Sequence, residues 1–393
     1  MPLNTTINRI GRRIRAAVVG GGDGALIGST HRTALRFDDH FEIVAGVLSR
    51  NPEQSMQQGV ALGLQRPYGT LDELITQESE RNDGADVIVV MTPNDSHFVY
   101  CRDALRAGFH VICDKPVANT LADARVLSEV SRKQGRNLFV TYNTTGYPMV
   151  RQARAMIDQG MLGTPHLVEV RYAQGNFGSL VEQSALQLDR QTAWRIDPEC
   201  GGEHHLLLDV GVHVQNLASY VLARDFIRVF ADVGPAVAGR TFADSASILG
   251  RLEGDVRATL TMTKAATGAP QLFGIAVYGD KGGLRWEQTQ ANELLYSRQG
   301  HPIATYTRSV AELTPLARRS MHAPYAHPEG YREGFASLYA DFAEQITASI
   351  DGRRADPLAM TCPSIDDGVR SLAFVEACVD ANTRQAWVDV ETA

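Results

Sequence analysis

The stretch Val18-Val19-Gly20-Gly21-Gly22-Asp23-Gly24-Ala25-Leu26-Ile27-Gly28 decides the fold. The apolar run from Ile14 to Val19 reads as a short strand that ends in glycine, and the stretch from about Ile27 to Phe37 reads as an amphipathic helix. A strand that turns through glycines into a helix brings backbone N–H groups to a helix N-terminus, where partial positive charge suits a pyrophosphate. The strict G-x-G-x-x-G spacing is absent. Gly20, Gly22 and Ala25 fit a looser G-x-G-x-x-A form, whereas Gly20, Gly22 and Gly28 fit a version with a longer loop. A glycine turn that holds no nucleotide is the competing reading, and the flanking elements argue against it.

Outward from the turn, strand and helix signals alternate. Phe41 to Leu48 reads as a strand, and Pro52 opens a helix that ends near Gly63. Thr70 caps a short helix that runs to Glu78, and Ala85 to Met91 is a continuous apolar run, as in a strand buried on both faces. Asn94 to Ala107 is helical and stops at Gly108, Phe109 to Cys113 is a strand, Thr120 to Lys133 a helix and Leu138 to Tyr142 a strand. This rhythm predicts a doubly wound parallel sheet over residues 1–142.

The pattern then changes. Tyr147 to Gln159 reads as a helix, and alternating segments joined by glycine turns predict a mostly antiparallel sheet within residues 143–393. A helix from about Leu206 to Leu222 interrupts it. Two helices, about Gly330 to Ile350 and Ile365 to Thr383, close the chain, and the last is expected to pack back on the first domain. Residues 175–200 and 298–329 lack periodicity and read as long loops, which are often functional.

Composition narrows the class. A chain of 393 residues with 44% hydrophobic content suits two globular domains. A net charge of −7 and no arginine-rich run argue against nucleic acid as a partner. The five cysteines are odd in number and contain no CxxC pair, which argues against structural zinc and a disulfide framework. Cys101 and Cys113 fall in apolar patterns and read as packing residues, in keeping with a reducing cytoplasm. No apolar run approaches the roughly 18 residues of a membrane span. Arg12-Arg13 ahead of Ala16 to Val19 reads as a basic tail before the first strand, because the apolar run is too short for an export signal.

Four further motifs carry chemistry. An acidic residue at the end of the second strand would favour NAD, but Ser49-Arg50 stands there. Both could bind a 2′-phosphate, the arginine as a charge-assisted fork, which leans towards NADP. A solvated arginine, or one stacked on adenine, is the alternative. Thr92-Pro93-Asn94-Asp95-Ser96-His97 falls at the carboxyl end of the sheet, where ligands bind, and Asn94 also reads as a helix cap. Asp114-Lys115-Pro116 ends the next strand. Lys115 there would reach the nicotinamide side, hydrogen-bond a reacting hydroxyl and lower the pKa of His213 by like-charge repulsion. In Gly201-Gly202-Glu203-His204-His205-Leu206-Leu207-Leu208-Asp209-Val210-Gly211-Val212-His213, Asp209 and His213 share one helix face, a spacing suited to acid–base work. His204 and His205 with Asp209 imitate a metal cluster, but no third ligand is evident and no metal is expected.

In combination, these residues resemble the Gfo/Idh/MocA oxidoreductases, a family that includes glucose–fructose oxidoreductase and inositol dehydrogenases. The matching residues are the glycine turn, Thr92-Pro93-Asn94 with His97, Asp114-Lys115-Pro116, Trp194-Arg195, Gly201-Gly202 and Asp209-x-Gly211-x-His213. Asp114 departs from the usual Glu, and the glycine turn is longer than usual. The resemblance implies a Rossmann domain that binds NAD or NADP through Gly20, Gly22, Asp23, Ala25, Ile27, Ser49, Arg50, Thr92, Pro93, Asn94, His97, Asp114 and Lys115. It implies an open-faced α+β domain whose sheet mediates homodimers or homotetramers. Lys115, Asp209 and His213 would be catalytic, and Asn143, Arg151, Tyr172, Trp194, Arg195 and His327 would contact a sugar or polyol. The implied activity is hydride transfer between a nicotinamide and a secondary hydroxyl, or the matching ketone, of a sugar, sugar derivative or cyclitol. His213 would take the proton, Lys115 would stabilise the alkoxide and Asp209 would orient the imidazole. An NAD-dependent glycosidase with transient oxidation, and a non-catalytic sugar or nucleotide sensor, stand as alternatives.

Overall fold

The computed structural model describes residues 4–181, 190–324 and 326–391. The chain divides into two compact units, Met1–Asn143 with Phe335–Gly368, and Thr144–Gly334 with Val369–Ala393.

The first unit is built on strands β1 (Ile14–Gly20), β2 (Phe41–Val47), β3 (Arg66–Pro67), β4 (Val87–Met91), β5 (His110–Cys113) and β6 (Leu138–Val140). All are parallel, in the order β3-β2-β1-β4-β5-β6. The order reverses between β1 and β4, and in such sheets ligands bind at the carboxyl ends beside that reversal. Every residue of β4 is buried, as its unbroken apolar run requires. Asn51, Thr70 and Thr120 cap the helices Pro52–Ala61, Leu71–Ser79 and Leu121–Gln134, and Thr70 with Glu73 forms a capping box.

Two expectations change here. The helix that joins this unit from late in the chain is mainly Tyr331–Asp351, whereas most of Ile365–Arg384 goes with the second unit. Phe335, Leu338, Tyr339, Phe342 and Ile346 lie along one helix face and enter a core with Val18, Val89, Ile112 and Phe139. Phe139 stacks on Phe342 at 4.4 Å between centroids. An apolar stripe shows that a helix packs on something, but not on which sheet. The supposed basic tail is also folded. Helix Thr5–Ile10 precedes β1, Arg12 forks onto Asp86 at 2.6 and 2.9 Å, and Arg13 forks onto Asp39.

The second unit holds β7 (Pro165–Ala173), β8 (Phe226–Gly234), β9 (Ser245–Leu252), β10 (Val256–Thr263), β11 (Leu272–Gly279), β12 (Gly282–Glu287), β13 (Glu293–Arg298), β14 (Ala304–Thr307) and β15 (Val388–Asp389). Among the described residues they form one sheet, ordered β14-β13-β12-β11-β7-β10-β9-β8-β15, and only β7 and β10 pair in parallel. Along β10, Val256, Ala258, Leu260 and Met262 are buried, while Arg257, Thr259 and Thr261 point out. The segments read as structureless loops contain β14 and the helices Arg190–Ile196, Pro198–Gly201 and Pro315–Arg318. These elements are too short to show a period. Residues 182–189 of the first segment lie outside the described residues.

The Asp209 helix also differs from expectation. Leu207–Gly211 is a π-helical turn, followed by the α-helix Val212–Leu222. No described helix is long and apolar enough to cross a membrane.

Candidate active site

In the first unit, Gly20, Gly21 and Gly24 adopt positive φ of 83°, 68° and 75°, which only glycine takes without strain. A Cβ on Gly28 would fall 2.4 Å from the Gly21 carbonyl oxygen, so the helix Leu26–Phe37 packs directly on the turn. The longer-loop spacing Gly20, Gly22, Gly28 is therefore the one that folds, with Ala25 as the helix N-cap. That helix has no side-chain cap bond and no acidic residue in its first turn, unlike its three capped neighbours. Residues 23–26 are exposed where they lead into the helix, and the Ala25 amide donates to the Gly22 carbonyl at 3.1 Å. This geometry fits a dinucleotide pyrophosphate. The Ile27 side chain packs on the core, and the Asp23 amide donates to Gln58 Oε1 at 3.2 Å.

Past β2, Ser49 Oγ donates to Gln54 at 3.2 Å, and Arg50 Nη2 reaches Asp95 Oδ2 at 2.5 Å. The arginine read as a phosphate fork thus carries a carboxylate. In the loop after β4, Ser96 Oγ donates to Thr92 Oγ1 and to the Pro93 carbonyl. Asn94 opens a 3₁₀ turn, and Ser96 takes the cap position expected of Asn94. His97 is buried, with Nδ1 2.7 Å from the Pro116 carbonyl and Nε2 2.8 Å from the Thr92 carbonyl. Expected to meet the cofactor, its ring instead brackets the two loops at the ends of β4 and β5.

The loop after β5 places Asp114 over a buried chain. Asp114 Oδ1 accepts from Thr141 Oγ1 at 2.8 Å and lies 3.8 Å from His31 Nε2, while His31 Nδ1 is 2.7 Å from the Tyr339 hydroxyl. Burial alone would raise the Asp114 pKa. His31, Lys115 and His97 together outweigh it and hold the carboxyl well below the usual range. Lys115 follows, half-buried and joined to Pro116 by a cis peptide bond.

In the second unit, the helix through residues 206–222 is buried throughout except at Asp209, His213 and Ser219. The π turn carries Asp209 and leads into the α-helix that carries His213, and spacing by four residues puts His205, Asp209 and His213 on one face. The His213 ring meets Tyr172 and Phe273 edge-on at 6.2 and 6.4 Å, and those two rings stack at 4.4 Å. Gln174 and Gln271 donate to the Tyr172 hydroxyl at 3.2 and 3.3 Å. Burial, and then the charge of Asp209, push the Tyr172 phenol up to about 12.

Lys264 lies outside every sequence motif yet enters the site. Its Nζ contacts Asp209 Oδ2 and lies 3.1 Å from His205 Nε2. An ammonium thus bridges the pair that imitated a metal site. The signal was present, because Lys264 continues the buried phase of Leu260 and Met262, where a strand should place an apolar side chain.

The remaining expected substrate contacts are scattered. Asn143 is buried at the start of a 3₁₀ turn. Arg151 has no exposed surface and donates from Nε to the Thr145 carbonyl at 2.9 Å, so it anchors that turn rather than presenting a fork to a ligand. Arg195 lies over the Trp194 ring at 4.7 Å, both half-exposed. His327 is exposed, and its carbonyl accepts from Arg308, which pairs with the buried Glu329.

Comparison with known proteins agrees with this architecture. Residues 14–142 match the model for the NAD-binding Rossmann fold of the GFO/IDH/MocA oxidoreductase family, and residues 150–285 match a GFO/IDH/MocA C-terminal domain. An uncharacterized oxidoreductase of Bacillus subtilis, YfiI, is 31% identical over 97% of this chain and 98% of its own. The crystal structure of an inositol dehydrogenase homolog from Azotobacter vinelandii complexed with NAD+ superposes with a TM-score of 0.90 at 34% identity, covering 97% of this chain and 98% of that one. Its complex with NADH and myo-inositol gives a TM-score of 0.87 at 34% identity, with 97% and 98% covered. This chain belongs to the GFO/IDH/MocA family of NAD(P)-dependent oxidoreductases.

Proposed function

We propose that this protein oxidises a secondary hydroxyl of a cyclitol or sugar, or reduces the matching ketone, with NAD as hydride carrier. The observation that carries the reading is the pair Asp209 and His213, two titratable groups on one partly exposed face of a largely buried helix. Paired acid–base groups of this kind suit removal of a hydroxyl proton. The relative seen with NADH and myo-inositol supports a hydroxyl-rich substrate. When bound, the nicotinamide accepts the hydride. His213 takes the hydroxyl proton, and Asp209, one helical turn earlier, favours its imidazolium form. Lys115 donates to the oxygen as negative charge develops. Tyr172 remains a phenol at working pH and gives the His213 ring a fixed wall.

The Arg50–Asp95 pair supports NAD over NADP, since a carboxylate beside the arginine opposes a 2′-phosphate. The regular alternation of the nine-stranded sheet, with Leu249 and Tyr278 among its exposed residues, supports assembly into dimers or tetramers. The reading is tested with a panel of cyclitols and sugars offered with NAD and NADP, following absorbance of the reduced cofactor. Reduction with at least one polyol is expected, with NAD preferred. No reduction with any polyol would leave the reading without support.

A further inference from the structure

Lys264 is 1% exposed, and its ammonium is enclosed. The Phe177 ring centroid lies 5.1 Å away, His205 Nε2 is 3.1 Å away, and Asp209 Oδ2 is in direct contact. An ammonium has only donors, so at His205 Nε2 it must meet a lone pair. That requires a neutral imidazole with its proton on Nδ1. Among the described residues, the other charges nearby pair with one another. Arg240 pairs with Asp244 at 2.7 Å, both side chains fully buried, and the Arg240 guanidinium lies over Phe177 and Phe242, the rings that also flank His205. The Lys264 amide donates to the Asp244 carbonyl at 2.8 Å. Towards solvent, Asp209 faces Tyr172, a neutral phenol, and His213 lies four residues on. Among the described residues Lys264 is thus the cation in direct contact with Asp209, in surroundings where charge-assisted bonds are strong.

The geometry points to Lys264 as a positioning residue that keeps Asp209 a carboxylate and His205 a neutral Nδ1–H imidazole, and so fixes the charge against which His213 works. The catalytic consequence rests on the dehydrogenase reading; the tautomer does not. Removing the cation makes Asp209 harder to ionise and His213 easier to protonate. Both effects move the acid limb of the rate profile to higher pH.

The test begins with the wild-type holoenzyme and needs no variant. In histidine-labelled protein, nitrogen NMR should show His205 protonated only on Nδ1, without titrating from pH 8 to pH 5. In Lys264→Met, His205 should lose its fixed Nδ1–H tautomer and take up a proton at higher pH than in the wild type. The acid limb of kcat should rise by about one pH unit, with KM changed less than about threefold, and Lys264→Arg should restore most of the wild-type profile. An ordinary titration of His205 in the wild-type protein would overturn the proposal. So would a folded Lys264→Met that leaves both the tautomer and the profile unchanged. If no polyol reduces NAD yet His205 is locked, the dehydrogenase reading fails and the clamp stands.

Discussion

Lys115 and Lys264 both follow strand ends, β5 and β10, yet their surroundings are opposite. Lys115 is half-exposed beside a carboxylate whose charge is held by His31. Lys264 is enclosed by Phe177, His205 and Asp209. A group that must meet a substrate needs solvent access and a preset charge. A group that sets the charge of another needs burial and close partners. The first unit thus displays its cation, and the second hides one beneath the pair it displays.

The comparison makes unequal predictions. Lys115→Ala and His213→Ala should each lower turnover by about 10²–10⁴-fold, the usual contribution of a positioned acid or base, while melting close to wild type. If Lys115→Ala unfolds the protein instead, the contrast with Lys264 collapses.

The next effect is on acid stability. Burial, and then Arg136, depress the His110 imidazole to about 4. The folded value lies below the unfolded one, so the unfolded chain binds a proton that the folded chain refuses. His110 therefore contributes no penalty above about pH 6.5. Stability falls by up to about 3 kcal/mol as pH drops from there to about 4. Urea midpoints at pH 7 and pH 4.5 check it, with a smaller drop expected in His110→Gln.

Gly28→Ala would push a Cβ to 2.4 Å from the Gly21 carbonyl oxygen. NAD binding should weaken by about tenfold or more in calorimetry, because the turn must shift from the pyrophosphate geometry. Arg50→Ala should have the smallest effect. Its pair with Asp95 is exposed, and such pairs contribute about 0–1 kcal/mol, so the ratio of NAD to NADP efficiency should move by less than about fivefold. A large gain of NADP activity in Asp95→Ala would show that the arginine was a masked phosphate fork.

The contrast also separates what sequence can show. The unbroken run in β4, Pro52 at a helix start and the Thr70 cap are local signals, and local signals decide parallel sheets. The allegiance of helix Tyr331–Asp351 is non-local, since Phe342 meets Phe139 some two hundred residues away along the chain. At the site, Asp209 and His213 stand out by spacing, although the π turn that carries Asp209 has no sequence signature. Lys264 belongs to no motif, and only its phase in β10 marks it. Arg151 shows the opposite error, a charged residue in an apparent binding position that is spent on a buried carbonyl.

The most direct test of the central claim follows one hydrogen atom. The wild-type protein and His213→Ala would each be given NAD and a cyclitol deuterated at its ring carbons. The account predicts that wild type transfers deuterium to the reduced cofactor and that His213→Ala does so at least about a hundredfold more slowly. Reduced cofactor without deuterium, or equal rates in the two proteins, would contradict it.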